Sequence, residues 1–293
     1  MSYVSERQHR RLAANVAGSF YVNSACIDCD TCRQLAPDVF REAGGYSAVA
    51  KQPGSDSERR QALQALLSCP TNAIVCEEKS GTAEVMEDFP LRLDEGLYYC
   101  GFTSPKSYGG SSYLLLRPDG NWLIDAPRYV PHLVRRFEQM GGVGTIFLTH
   151  RDDVADAQLY AERFGAKRII HALERSAQPE AEHFIEGVAD VQWDADTKII
   201  VVPGHTRGSM VLLYRSRYLF TGDHLAWDRE RGMLTAFDDF CWYSWEEQGK
   251  SMERLAAETF EWVLPGHGKR VHLTADAMNR AMRRLVEEMR SGA

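Results

Sequence analysis

The sequence predicts an α+β protein in two parts, a small cysteine-built module followed by a larger layered domain of strands and helices. Three observations carry that prediction. The chain has 293 residues, more than one compact core ordinarily needs. Five of its 7 cysteines, Cys26, Cys29, Cys32, Cys69 and Cys76, fall in the first 76 residues. Beyond residue 90, apolar strand-like runs alternate with amphipathic stretches, the pattern of layered α/β architecture rather than of a bundle or an all-β sandwich. Composition shifts at residues 77–88 (EEKSGTAEVMED), which are polar, acidic and poor in aliphatic side chains, so the boundary is expected between 1–86 and 87–293.

The elements follow from local patterning. Residues 18–25 (GSFYVNSA) read as a short strand leading into the cysteine run, and residues 57–68 (SERRQALQALLS) place Leu63, Leu66 and Leu67 at helical spacing. In the second part, strands are expected at 112–118 (SYLLLRP) and 121–127 (NWLIDAP), a helix near 131–140 (PHLVRRFEQM), and a strand at 144–150 (GTIFLTH). A helix then presents Ala157, Tyr160, Ala161 and Phe164 on one face. Further strands are read at KRIIHAL, TKIIVVPGH, GSMVLLYRS, YLFTGDH and EWVLPGHG, and a last helix carries Met278, Met282, Leu285 and Met289.

Composition excludes several classes. With 44% apolar and 26% charged residues, the chain is neither disordered nor fibrous. No run approaches the ~18 to 20 apolar residues of a membrane span, and the start lacks the apolar centre of a signal peptide, so a cytoplasmic protein without membrane contact is expected. A net charge of −7 argues against general nucleic-acid binding, and His9, Arg10 and Arg11 read as a solvated terminus. In a reducing compartment the cysteines are poor disulfide candidates. Cys76, Cys100 and Cys241 read as buried thiols.

Cys26-Ile-Asp-Cys29-Asp-Thr-Cys32 spaces three thiolates so that one tight loop can wrap three corners of a cubane, with Cys69, ahead of Pro70, as the fourth ligand of a [4Fe-4S] cluster. The alternative is structural zinc, which usually draws on two separated pairs. The run CIDCDTC, with Ala36-Pro37, Phe40, Ser68-Cys69-Pro70 and Ala73-Ile74, resembles the single-cluster bacterial ferredoxins over about residues 18–78. Since some members carry aspartate at the middle position, Cys29 implies the full four-iron form.

In the second part, His and Asp recur at the ends of expected strands, in Thr149-His150-Arg151-Asp152-Asp153-Val154-Ala155-Asp156, Pro203-Gly204-His205-Thr206, Thr221-Gly222-Asp223-His224 and Leu264-Pro265-Gly266-His267-Gly268. A rigid strand behind and an open loop in front suit metal ligands, although each alone also reads as a hydrogen-bonded loop residue or a helix cap. Together and in order they resemble the metallo-β-lactamase superfamily over about residues 92–275, which implies an αβ/βα sandwich binding one or two metals between its sheets.

One motif departs from that family. Where the family reads H-x-H-x-D-H, an ungapped comparison puts Asp152 at the second histidine and Val154 and Ala155 at the second-metal ligands, while a two-residue insertion would bring Asp156 to the aspartate position. The expectation is therefore one divalent metal, zinc or iron with manganese also accepted, held by His150, His205 and Asp223 with Asp152 as a further ligand and His267 nearby. Asp152, Asp153 or Asp156 would orient the attacking water or carry a proton. Within the superfamily, persulfide dioxygenases use a single iron and flavodiiron oxygen reductases place an acidic residue at the second position of the first motif.

Three functions follow for a small-molecule substrate: a metal-dependent hydrolase of acyl, thioester or lactone compounds; an iron-dependent redox enzyme fed by the tethered cluster, with a redox partner protein as electron source; or an electron carrier on a degenerate scaffold. Trp227, Phe237, Phe240, Trp242, Tyr243 and Trp245 either cover the site or form an apolar layer beneath a long connection.

Overall fold

The computed structural model describes residues 9–78 and 80–291. The start of the chain, where the absence of a leader was read, lies outside the described residues as far as residue 8.

In the cysteine module, the strand Phe20–Val22 pairs antiparallel with Ile74–Cys76, and a hairpin joins Phe40–Glu42 to Ser47–Val49. The helix Asp56–Ser68 is capped by Ser55, whose side chain accepts from the Glu58 N–H, and buries Leu63 and Leu67. It ends at Cys69, so the helix fixes where that thiol points.

The larger part is two sheets face to face. The first has seven strands in the spatial order His183–Ile185, Lys167–His171, Thr145–Phe147, Trp122–Ile124, Tyr113–Leu115, Leu97–Tyr99, Leu91–Asp94. The second has six, in the order Val191–Gln192, Thr197–Val201, Met210–Tyr214, Tyr218–Gly222, Trp262–Pro265, Val271–His272. Strand alternation explains the layering. Ile199, Val201, Leu212 and Phe220 face the first sheet, and Tyr113 meets Phe220 with ring centroids 5.6 Å apart. The intervening Ile200, Val211, Leu213 and Leu219 face outward into a second cluster with Met252, Leu255, Met278, Met282 and Leu285 of the helices Trp245–Leu255 and Ala275–Ser291. The helices Pro131–Gln139 and Ala157–Phe164 bury Phe137 and Tyr160 in the cluster that includes the first sheet.

The cysteine module is continuous with that core. Phe20, Leu63 and Leu67 share one cluster with Phe89, Phe102 and Leu97, and the Thr103 N–H and hydroxyl both donate to Ser68 O, at 3.2 and 2.7 Å. Arg60 and Gln64 hold Asp88 across the connector. No described helix is long and apolar enough to cross a membrane.

Candidate functional site

The cysteine loop is organised by backbone and charge. Asp28 and Asp30 take positive φ (58° and 64°), where Asp is among the tolerated residues, and Arg33 donates to both, at 2.6 and 2.5 Å. That pinning turns Cys26, Cys29 and Cys32 inward, where they line one small cavity with Cys69. Backbone N–H groups of Ser47 and Ala73 donate to the sulfurs of Cys26 and Cys69, at 3.4 and 3.3 Å. Burial pushes the Cys29 thiol up to about 11 and Cys32 higher still, so both need a cation to persist as thiolates. A single zinc would draw its sulfurs to about 3.8 Å from one another. Among the described residues no three cysteine sulfurs lie within 4.8 Å of each other, so the wider separation suits a cluster. Cys76 lies outside this cavity and its thiol donates to Glu78 O at 3.0 Å.

The second constellation sits at the strand ends. His150 follows the strand Thr145–Phe147, Asp223 directly follows Tyr218–Gly222, and His267 follows Trp262–Pro265. The first trio, His150, His205 and Asp223, brings its ligand atoms within 4.8 Å of one another. Asp223 Oδ2 is 3.6 Å from Nε2 of both histidines, and Asp152 Oδ2 is 3.8 and 3.7 Å from the same two nitrogens. Around a four-coordinate metal such atoms stand about 3.4 Å apart, close to what is seen.

His150 is aimed from behind. Its Nδ1 is 3.0 Å from Thr149 Oγ1, which lies 2.9 Å from the buried carboxylate of Asp125. A proton on Nδ1 donated to Thr149 leaves the Nε2 lone pair facing the site. Burial lowers the His150 pKa against the pull of Asp223, favouring the neutral ligand form. Burial also opposes ionisation of Asp223, but His267, His150 and His205 outweigh it and hold the carboxylate below its ordinary value.

Beside the first trio the structure gathers a second candidate trio, where the sequence led to the expectation of a single metal. The chain makes a tight turn over Arg151–Asp153, which leaves Asp153 beside Asp223 and His267. Asp153, Asp223 and His267 form a second trio within 4.8 Å. Asp153 is 2% exposed and neither carboxylate oxygen has a hydrogen-bond partner among the described residues. It is wedged between Gly110 and Gly266, where a Cβ would come within 2.6 and 2.4 Å of its oxygens. A buried carboxylate without a donor is costly unless a cation or a proton answers it. His150 Nε2, His205 Nε2 and Asp223 Oδ1 are similarly buried without partners, so the donor set fits metal. His224 is also buried beside this set, and neither of its ring nitrogens has a hydrogen-bond partner among the described residues.

Asp156 is placed elsewhere, which corrects its candidacy as a catalytic acid or base. Its carboxylate accepts from Lys106 Nζ and the Tyr129 N–H, at 2.7 and 2.8 Å. After Asp153 the backbone turns through Ala155 at φ 35°, and Asp156 begins the helix Ala157–Phe164, away from the metal-site cavity.

That cavity, about 1210 Å³, is lined by Asp152, Asp153, His205, Asp223 and His267. Phe237, Phe240, Trp242 and Tyr243 form part of its wall, whereas Trp227 packs on the outer cluster and Trp245 opens a helix. The cysteine loop contributes to the same lining through Asp28, Cys29, Asp30 and Arg33. Sequence reading missed this juxtaposition because nothing local in either segment encodes it.

Residues 22–76 match the family described as the 4Fe-4S single cluster domain of Ferredoxin I, and residues 94–287 match the metallo-beta-lactamase superfamily. Among solved structures, a metallo-β-lactamase from Hirschia baltica is similar, with 16% identity and TM-score 0.50, over 67% of this chain and 96% of that one. The metallo-β-lactamase FIM-1 from Pseudomonas aeruginosa, in a mono-zinc form, aligns with 15% identity and TM-score 0.50, over 67% of this chain and 93% of that one. These likenesses show the shared fold. With its cysteine module in front and the His and Asp residues gathered at the strand ends behind, the chain belongs to the metallo-β-lactamase superfamily, fused to a single-cluster 4Fe-4S ferredoxin domain.

Proposed function

We propose that this protein is a redox enzyme whose carboxylate-rich metal centre receives single electrons from the ferredoxin cluster. The observation that carries the reading is the shared cavity, in which Cys29 and its neighbours Asp28, Asp30 and Arg33 face Asp152, Asp153, His205, Asp223 and His267. Hydrolysis gains nothing from an iron-sulfur wall, whereas electron transfer requires one. His150, His205 and Asp152 would hold one metal, Asp153 and His267 a second, and Asp223 would be shared between them. Three imidazoles and three carboxylates suit iron or manganese as well as zinc. When bound, iron at such a centre supplies one-electron redox chemistry.

The chain's own residues do the remaining work. Thr149 and Asp125 orient His150. Asp152, with its side chain 48% exposed, stands at the water-accessible side of the cavity. Phe237, Phe240, Trp242 and Tyr243 give the cavity an apolar wall, and its volume admits an organic small molecule. That size also favours the second reading, hydrolysis of an acyl, thioester or lactone substrate at the same metals.

Metal counting on full-length protein prepared without oxygen separates the two. The redox reading expects iron in excess of the about four atoms of the cluster, reduced by Asp153→Ala or His267→Ala. About four iron atoms with zinc in the second domain, and acyl hydrolysis that survives loss of the cluster, would reject it.

A further inference from the structure

Loop 104–111 lies between the two candidate centres, and two consecutive glycines touch one each. At Gly109 an added Cβ would stand 2.7 Å from Cβ and 2.9 Å from Sγ of Cys29. At Gly110 it would stand 2.6 Å from Oδ1 of Asp153. Adjacent Cα atoms are about 3.8 Å apart, so Cys29 Sγ and Asp153 Oδ1 are no more than about 12 Å apart, joined by one peptide unit. The loop is fixed there. Gly109 N donates to Ser104 O at 2.8 Å, Gly110 N to Ser107 O at 2.8 Å, and Ser111 N to Gly266 O at 2.7 Å. Thr31 Oγ1 lies 3.3 Å from Gly109 O and 3.4 Å from Cys29 Sγ, a side-chain link between cluster ligand and loop. Other hydrogen bonds between the two domains, such as Thr103 with Ser68, Arg128 with Leu67, and Arg60 and Gln64 with Asp88, involve no cysteine of the cluster cavity and no metal-site residue.

We propose that the Gly109–Gly110 peptide, with Thr31, is the coupling element through which a single electron crosses from the Cys29 side of the cluster to the Asp153 side of the metal centre. The inference rests on the redox reading. Glycine is required at both positions because any side chain would push the cysteine or the carboxylate away from the shared backbone. The step is a pure electron transfer: one electron leaves the reduced cluster and converts one ferric ion to ferrous. No bond forms or breaks, and the electron comes from an external one-electron reductant, dithionite in the test.

The experiment uses full-length protein carrying the cluster and ferric iron, given less than one equivalent of dithionite and sampled by rapid-freeze electron paramagnetic resonance. In the wild type the reduced-cluster signal should decay as the ferric signal disappears. Thr31→Val, which keeps shape but removes the hydroxyl, and Gly109→Ala should slow that decay roughly tenfold or more at unchanged iron and sulfide content. Decay at the wild-type rate in both variants would overturn the coupling role while leaving the redox reading intact. A wild type showing no transfer would overturn the redox reading itself. Should Gly109→Ala fail to assemble its cluster, a spectrum of the wild type decides. With manganese(II) in the metal centre, the reduced-cluster signal should broaden relative to manganese-free protein, and an unbroadened signal would overturn the proposal.

Discussion

Gly266→Ala perturbs the second metal trio without replacing a ligand. Gly266 is buried directly after the strand Trp262–Pro265, and its φ lies outside the left-handed region, so alanine adds no backbone strain. The new methyl would stand 2.4 Å from Asp153 Oδ2 and 2.7 Å from Asp223 Oδ1. Ordinary contact requires more than 3 Å, so each carboxylate must retreat by roughly 0.5 to 1 Å, against a tolerance of about 0.2 Å in metal–ligand distances. Loss of an orienting contact around a metal typically weakens binding about 10- to 100-fold, which is about 1.4 to 2.7 kcal/mol. Displacing two ligands at once should reach at least the upper end. Among the three nearest atoms to that methyl there is none from His150 or His205, so the first trio should suffer less. Competition against a chelator, followed by elemental analysis, should show one weakened metal while the cluster's iron and sulfide stay constant. Two metals bound with wild-type affinity would refute the placement of Asp153 and Asp223 as ligands of a common centre.

Three other outcomes are expected. Thr149→Val removes the hydroxyl between Asp125 and His150 and should lower metal affinity about 10- to 100-fold with little change in fold, measured by chelator competition and circular dichroism. Cys32→Ser should abolish the cluster's broad visible absorbance, whereas Cys76→Ser, outside the cluster cavity, should retain it. Glu182→Gln tests the pH dependence of stability. The Arg168 side chain, against the opposing effect of burial, holds the Glu182 carboxyl at about 2, below its ordinary 4.5. A depressed folded-state pKa stabilises fully above the unfolded value and is lost as pH falls through the folded one. The urea-midpoint gap between wild type and Glu182→Gln should therefore be complete at neutral pH and close between about pH 4.5 and 2; a gap independent of pH in that window would contradict the ion pair.

Much of this protein was legible in its sequence because the signals are local. CIDCDTC compresses three thiolates into one loop, and the runs around residues 113–115, 145–147, 197–201 and 210–214 are the short, largely continuous apolar stretches of buried strands. The strand-end residues His150, His205, Asp223 and His267 stood out for the same reason, since strand ends carry open loops backed by rigid backbone. Less visible were the short edge pairs, such as Leu91–Asp94 with Leu97–Tyr99, whose few residues carry too little periodicity to stand out. What only the tertiary structure decided was which side chains share a space. The turn after His150 brings Asp153 to Asp223 in a space bordered by Gly110 and Gly266, which lie far away in sequence. The meeting of Cys29 with the metal-site cavity is likewise a product of docking between two domains. Each segment satisfies its own local preferences, and packing between the domains, through Ser68 with Thr103, the apolar cluster of Phe20, Leu63 and Leu67 with Phe89 and Phe102, and the Gly109–Gly110 peptide, makes both segments line one cavity.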